Sequence, residues 1–416
     1  MGKDAKIPLI FSVPLFGILF FHMVCESMVI PILAPTLAEP ASAVHDMLEG
    51  FSPAAHKFFY GVALASYPVI VFLCAPVIGA LSDSVGRRPV LLLAAAGTIV
   101  GCLGQAIGME ILSLGLFIAG RLLVGATAGV DGAVQAAMLD RCSSEKQKNF
   151  YLGASLLAMS TGFMFGPALA AATIGDGAGS FAWSIPFFIL AATFVAILFA
   201  VFKTLPSDAP PALKPEKIKW FSGIADIATL AKIRAARAML SIFVLNQTAG
   251  GCFMALTPLV LAKSYGFSIK EIAAFMSVQG VFSSIVFGLV GPKLIAYFSK
   301  SSALRFSALM CLVSTVYMYI TDVGNFIWLL CALQPLGFAL SYYVMLSLFS
   351  DAAQKSRRGW LLSVLASLWG LTSGMGLLLC GILVGFSNEH CLWACAAMSA
   401  AALALCAKKI GAFRME

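Results

Sequence analysis

Charged side chains are scarce in this chain: they make up 11% of its 416 residues, against about 25% in soluble domains. Hydrophobic residues make up 60%, and the mean hydropathy is +0.95. A water-soluble domain of this composition would precipitate, and disordered, collagen-like and disulfide-scaffold classes are also excluded.

Residues that carry enzyme chemistry are equally sparse. The chain has four histidines and eleven cysteines, and the cysteines show no paired spacing. It lacks a Gly-Lys-Ser/Thr phosphate loop, a His-Glu-x-x-His sequence and clustered Cys and His ligands. We therefore expect no metal, no cofactor and no enzymatic activity, and we expect the cysteines to act as small hydrophobic residues.

Long apolar runs separated by short polar breaks fill the chain. A membrane-spanning helix needs about 20 apolar residues, and only helices or closed barrels satisfy their backbone groups in lipid. Twelve segments qualify: 8–35, 57–80, 89–108, 111–138, 149–173, 183–203, 238–262, 271–297, 303–321, 326–349, 359–386 and 391–408. They predict an all-α polytopic membrane protein with tilted or kinked spans.

The positive charges predict the orientation in the membrane. Of the 27 Lys and Arg residues, only Lys57, Lys263 and Lys270 fall in loops on the side opposite the N-terminus, and only Arg121 lies within a span. Because cytoplasmic loops retain positive charge, both termini are expected in the cytoplasm. The net charge of +8 then reflects topology and contact with anionic lipid, so nucleic-acid binding is not expected.

A proline-rich, basic stretch at 204–236 divides the spans into two sets of six. It predicts a cytoplasmic central loop between an N-terminal six-helix bundle, 1–203, and a C-terminal one, 237–416. The turns that begin at Asp140 and Asp351 are alike, which indicates an internal repeat. Two pseudo-symmetric bundles with a site between them are typical of secondary transporters.

The loop between spans 2 and 3 reads Gly79-Ala-Leu-Ser-Asp83-Ser-Val-Gly86-Arg87-Arg88-Pro. It resembles the cytoplasmic loop motif of the major facilitator superfamily, although a polar turn with topology-setting arginines is the plainer alternative. Gly79 is expected to let helices approach, and Gly86 to permit a tight turn. The resemblance implies a cytoplasmic gate in which Asp83, Arg87 and Arg88 form a charge network with Asp140.

Span 4 contains Gly120-Arg121-Leu-Leu-Val-Gly125, which is similar to the arginine-containing fourth-helix motif of that superfamily. An arginine in a span needs an interior partner, and Glu26 on span 1 is the expected one. His22 precedes Glu26 by four residues on the same helical face. The resemblance implies proton coupling by Glu26 with Arg121 as counter-charge; a structural ion pair, with His22 as a core residue, is the alternative. Asp131 is either a second relay carboxylate or a residue of the cytoplasmic vestibule.

Span 5 contains Gly153, Gly162, Gly166 and Pro167 at the spacing of a motif associated with antiporters of the superfamily. Alanines replace the usual terminal glycine pair. Gly162 and Gly166 would form a face for close helix packing, and Pro167 would bend the helix. The motif suggests export in exchange for protons, and a generic packing helix is the rival interpretation.

Polar residues in the second half are candidates for the substrate cavity, because intramembrane amides tend to face a cavity. They are Asn246, Gln247, Gln279, Gln334 and Tyr342. Each of them can equally serve as a hydrogen bond between helices.

Taken together, the chain most resembles the twelve-helix tetracycline and multidrug proton-antiporter branch of the superfamily. The resemblance implies proton-coupled efflux of a small organic solute by alternating access, driven by the proton gradient, by a monomer in a bacterial-type inner membrane. A proton-coupled importer or facilitator of a metabolite, amino acid or siderophore is the alternative. A receptor, scaffold or embedded enzyme would show a degraded loop motif or a large soluble extension, and the chain has neither.

Overall fold

The computed structural model describes residues 9–38, 46–174, 180–206, 227–228, 231–232, 234–320, 324–352 and 358–407. Most of the predicted central loop 204–236, both chain termini and the 353–357 part of the repeated turn lie outside these ranges. Within them, every regular element is helical, which confirms the all-α class.

Twelve helical spans in the described ranges are long and apolar enough to cross a membrane, which confirms the twelve predicted segments. Their helices, span by span, are Leu9–Ser27 with Val29–Leu33 and the π-helix Ala34–Ala38; Pro53–Val85; Arg87–Glu110; Leu114–Ala128 with Asp131–Leu139; Glu145–Thr173; Ile185–Thr204; Arg234–Tyr265; Ile269–Ile285 with the π-helix Val286–Val290 and Gly291–Tyr297; Lys300–Ile320; Leu330–Ala352; Arg358–Val384; and Asn388–Ala407. Short 3₁₀ turns, Ser180–Trp183 and Gly324–Leu329, precede spans 6 and 10.

Span 4 is interrupted immediately before Asp131. Its first helix ends at Ala128, and the backbone N–H of Val130 bonds to Thr127 in a tightened turn. Gly129 allows this turn to contact span 2, because a Cβ there would lie 2.9 Å from the Ala75 backbone. Asp131 therefore opens a new helix with its carboxylate in the first turn, where the helix dipole favours negative charge.

The chain folds into two compact units, and the first comprises Met1–Val29 and Ile70–Trp220. Glycines bring its spans 3 and 4 together: a Cβ at Gly120 would lie 2.6 Å from the Gln105 backbone, and one at Gly108 would lie 2.6 Å from that of Phe117. Small residues at such crossings permit the backbone contact that packs helices in lipid.

The second unit comprises Ile30–Val69 and Phe221–Glu416. Within it, the first half of span 2 is held by Tyr60, whose hydroxyl donates to the carbonyl of Ala255 at 2.8 Å. The backbones of Gly61 and Gly381 meet, since a Cβ at Gly61 would lie 2.7 Å from the Gly381 Cα. This grouping differs from the predicted boundaries at 203 and 237, and the division into two six-helix bundles stays a prediction.

The outward surface of the helices is apolar. Leu93 is 65% exposed, and Phe150, Phe199 and Trp393 are each more than half exposed. An apolar surface of this extent requires a hydrocarbon environment.

Candidate functional site

A buried polar network surrounds His22 in the first unit. The imidazole is fully buried, with Nδ1 at 3.2 Å from Asp131 Oδ1 and Nε2 at 3.2 Å from the Thr98 hydroxyl. The Thr98 and Thr127 hydroxyls lie 2.7 Å apart. The ring also stacks on Phe194 at a centroid distance of 5.1 Å. Spans 1, 3, 4 and 6 thus fix the position of one histidine.

The network can hold His22 with or without its second proton. A carboxylate only accepts, so Nδ1–H donates to Asp131. When Nε2 is also protonated it donates to Thr98, whose hydroxyl then donates to the Ala94 carbonyl at 3.0 Å. When Nε2 is unprotonated it accepts from Thr98 instead. The gain or loss of one proton therefore requires only a hydroxyl rotation.

Glu26 lies one helical turn beyond His22 and is 6% exposed. Its Oε2 is buried, and no side chain or backbone group in the described ranges donates a hydrogen bond to it. Arg121, 2% exposed, and Asp131 both lie within electrostatic range of this carboxyl. The structure thus brings together the four residues for which the sequence suggested proton coupling, on spans 1 and 4.

The hydrogen bond between His22 and Asp131 was not predicted from the sequence, which related His22 only to Glu26. The interruption of span 4 places Asp131 beside span 1, and the Gly-Val pair before Asp131 is the signal that could have indicated it. Discontinuous helices near the middle of a span are frequent at transporter binding sites.

The loop motif forms a charge network centred on Arg87. Its guanidinium donates to Asp83 at 2.5 Å, to Asp140 at 3.3 Å and to the Ser82 hydroxyl at 3.0 Å. Gly86 has φ +100°, so the predicted tight turn is confirmed. The network ties the end of span 2 to the ends of spans 3 and 4.

Arg88 is not part of this network, contrary to the expectation from the sequence. Its guanidinium donates to the Phe202 carbonyl at 2.6 Å and lies 4.9 Å from the Phe202 ring centroid. The last carbonyls of a helix lack partners within the helix and attract cations. The end of span 6 therefore binds Arg88 in place of a carboxylate.

No atom of the described residues lies within 4 Å of a Cβ built at Gly79, and the role expected of this glycine in helix approach stays a prediction. A tight contact of span 2 in this unit is made at Ala75, opposite Gly129.

The glycines of span 5 differ in their packing. A Cβ at Gly166 would lie 2.7 Å from the Met28 backbone nitrogen, and one at Gly162 would lie 3.0 Å from the Phe20 Cα. The predicted packing face is therefore confirmed, and its partner is span 1, which carries Glu26. Gly153 meets nothing within 4 Å among the described residues. The helix continues through Pro167, and the bend there stays a prediction.

In the second unit, two candidate amides bond span 7 to span 10. The Asn246 side chain donates to Ser341 at 2.9 Å, and that of Gln247 donates to the Phe338 carbonyl at 3.4 Å. Asn246 Oδ1 is buried and accepts no hydrogen bond from the described part of the chain. The Asn246 side chain thus joins two helices by a hydrogen bond, and its Oδ1 can accept a bond from a further donor.

The remaining cavity candidates are Tyr342, Gln279 and Gln334. Tyr342 contacts the rings of Phe243 and Phe287 at centroid distances of 5.9 and 6.3 Å. Gln279 and Gln334 are half-buried on spans 8 and 10. No hydrogen bond within the described ranges joins either of them to Asn246 or Gln247, and their role in a cavity stays a prediction.

The expectation that the cysteines form no cluster is wrong. Cys252, Cys391 and Cys395 are buried in the second unit with their Sγ atoms within 4.8 Å of one another. Sequence spacing hid this cluster because Cys252 lies on a different helix, far away in the chain.

Twelve apolar spans, interrupted helices and a buried network of titratable side chains define an integral membrane transporter. The chain belongs to the Major Facilitator Superfamily, whose sequence profile matches residues 15–355. Members of this superfamily are transporters, so the protein is a transporter and not an enzyme.

Tetracycline resistance proteins are similar to this chain in sequence, and two solved transporter structures are similar to it in fold. The class C tetracycline resistance protein of Escherichia coli is 25% identical over 334 residues, covering 80% of this chain and 81% of that protein. The class B protein of Escherichia coli is 34% identical over 176 residues, covering 41% and 39%. The structure of a D-xylose–proton symporter has a TM-score of 0.75 at 16% identity, covering 98% of this chain and 99% of that one. That of the human organic anion transporter MFSD10 has a TM-score of 0.69 at 19% identity, covering 96% and 100%.

Proposed function

We propose that this protein exports a small organic solute across the membrane in exchange for protons, by alternating access, with Glu26 as the residue that gains and loses the coupled proton. The observation that carries the proposal is the buried Glu26 carboxyl with its unbonded Oε2, within electrostatic range of Arg121 and one turn from the His22–Asp131 pair.

Burial makes the charge of Glu26 depend on access to water. A buried carboxylate oxygen without a hydrogen bond is costly, whereas a carboxylate that faces water or an unobstructed cation is stable. A change between closed and open conformations therefore changes the preference of Glu26 for its proton. This is the coupling that an antiporter requires.

A route for that proton continues through His22. The imidazole bonds to Asp131, whose side chain is 18% exposed, and its hydrogen bonds suit either protonation state. In the proposed mechanism the proton passes between Glu26 and Asp131 through His22. Arg121 provides the positive charge that stabilises Glu26 when the proton has left.

The direction and the solute are proposed from the relatives and the span 5 motif. Tetracycline resistance proteins are similar to this chain over four-fifths of its length. Gly162 and Gly166 pack span 5 directly against the helix that carries Glu26. Movement of one helix would thus be transmitted to the other. We propose tetracyclines and comparable amphipathic drugs as the first solutes to test.

The test measures proton movement in proteoliposomes that contain a pH-sensitive dye. The panel consists of tetracyclines, lipophilic cations, organic anions, amino acids and siderophores. We expect one class of solute to drive protons in the opposite direction, and Glu26→Gln to abolish that coupled flux. Glu110→Gln is the matched control. Glu110 lies at the end of span 3, accepts a hydrogen bond from Ser184 and is outside the His22 network.

Protons that move in the same direction as the solute would make the protein an importer. Unchanged coupled export in Glu26→Gln would remove Glu26 from the mechanism. Loss of flux in both variants alike would indicate a general defect instead of a coupling defect.

A further inference from the structure

Three buried thiols converge in the second unit, whereas the proton network belongs to the first. Cys252 lies in span 7, and Cys391 and Cys395 lie in the first two turns of span 12. Their Sγ atoms are all within 4.8 Å of one another, and those of Cys252 and Cys391 are 3.3 Å apart. No part of the transport mechanism proposed above uses them.

A fourth cysteine, Cys380 in span 11, is buried nearby but lies outside the set of sulfurs that are all within 4.8 Å of one another. One turn earlier, Gly376 lets the backbones of spans 7 and 11 meet, because a Cβ there would lie 2.7 Å from the Cys252 nitrogen. The thiols are therefore held together by helix packing and not by a flexible loop.

The spacing of the sulfurs fits metal coordination. A tetrahedral zinc site with Zn–S bonds of about 2.3 Å has sulfurs about 3.8 Å apart. This separation is compatible with a cluster whose Sγ atoms all lie within 4.8 Å of one another, with 3.3 Å between those of Cys252 and Cys391. Cys391 and Cys395 are four residues apart on one helical face, the spacing at which helices present paired metal ligands. We propose that Cys252, Cys391 and Cys395 bind one thiophilic d¹⁰ metal ion, Zn(II) or Cu(I).

The chemistry of the site favours such an ion over other cations. Sulfur-only donors select soft metals over Mg(II) or Ca(II), which take oxygen ligands. Binding replaces the thiol protons, which pass to solvent, by the metal. The cation offsets the thiolate charge that burial in an apolar region would otherwise make costly. The bound ion would cross-link spans 7 and 12.

The path from the beginning of span 12 to the thiols is short. Cys391 and Cys395 lie about 5 and 10 Å along the helix axis from its first residue, Asn388. Glu389 and His390, directly before Cys391, are exposed at that end of the helix. They offer weak ligands at the surface from which the ion would pass to the thiols.

The test uses the full-length protein, purified in detergent and fully reduced. Cd(II) serves as the probe, because cadmium–thiolate charge transfer gives an ultraviolet absorption band, and Zn(II) and Cu(I) are then added as competitors. We expect saturation at one Cd(II) per chain and a higher unfolding temperature with metal, since binding to the folded state stabilises it. The triple variant Cys252→Ala, Cys391→Ala, Cys395→Ala should bind at least 10-fold to 100-fold more weakly, because even the loss of a supporting hydrogen bond costs that much at metal sites.

The matched control replaces three other cysteines, Cys25, Cys102 and Cys142, by alanine and should bind Cd(II) like the wild type. Reduced wild-type protein that shows no band and no rise in unfolding temperature would overturn the proposal, whatever the variants do. Equal binding by the cluster variant would place the metal elsewhere and overturn it too. A Cys252–Cys391 disulfide that re-forms in the purified protein and excludes Cd(II) would identify the cluster as a redox pair instead.

Discussion

At the residue scale, two versions of the proposed coupling mechanism differ in the role of Asp131. In one it takes part in proton transfer, and in the other it only positions His22. Asp131 Oδ1 accepts from His22 Nδ1, and an asparagine at this position would keep an accepting oxygen but could not ionise. The substitution therefore separates the hydrogen bond from the charge.

We expect Asp131→Asn to lower proton-coupled transport by about 100-fold or more, the range over which a positioned proton donor or acceptor contributes to a rate. The unfolding temperature in detergent should change little, because the hydrogen bond remains. Asp46→Asn is a closely matched control: Asp46 also faces a histidine, His56, at 3.7 Å, with a side chain 17% exposed against 18% for Asp131. Wild-type coupling in Asp131→Asn would assign Asp131 to the vestibule and end the relay role.

At the scale of the helices, glycines of the same motif have opposite structural roles. Gly166 contacts the backbone of span 1 at Met28, whereas Gly153 faces open space within the described structure. The motif alone does not distinguish them, because both are glycines in the interior of one apolar helix.

We expect alanine to lower the stability of the fold at Gly166 and to leave it unchanged or raise it at Gly153. Gly166→Ala forces spans 1 and 5 apart, and overpacking of this kind costs about 1–3 kcal/mol. Gly153→Ala adds no clash and gains up to about 1 kcal/mol of helix propensity. Thermal unfolding of the two purified variants checks this, with a lower midpoint for Gly166→Ala and an unchanged or higher one for Gly153→Ala. A common direction of change would contradict the packing described for span 5.

The spans themselves could be predicted because a membrane selects helices by length and apolarity, a local property of the sequence. The turn at Gly86 could be predicted because it too depends only on the local sequence. The His22–Asp131 bond, the binding of Arg88 to the end of span 6 and the cysteine cluster could not, since each depends on which distant helices pack together.

At the scale of the whole molecule, the orientation in the membrane still rests on the distribution of Lys and Arg. It predicts that the loop before span 2 lies outside and the loop between spans 8 and 9 inside. Two serines offer a matched pair of probes. Ser52 and Ser299 are both exposed, and each hydroxyl accepts a hydrogen bond from a backbone N–H three residues later, at 3.3 and 3.1 Å.

We expect a membrane-impermeant maleimide to label Ser52→Cys in sealed right-side-out vesicles, and to label Ser299→Cys only after the vesicles are permeabilised. The loss of the cap costs about 1 kcal/mol in both variants, so any difference in labelling reflects the side of the membrane and not stability. The native cysteines are buried or half-buried, and the wild type sets the background. Labelling of Ser299→Cys in intact vesicles would invert the topology, and with it the side on which the Arg87 network acts as a gate.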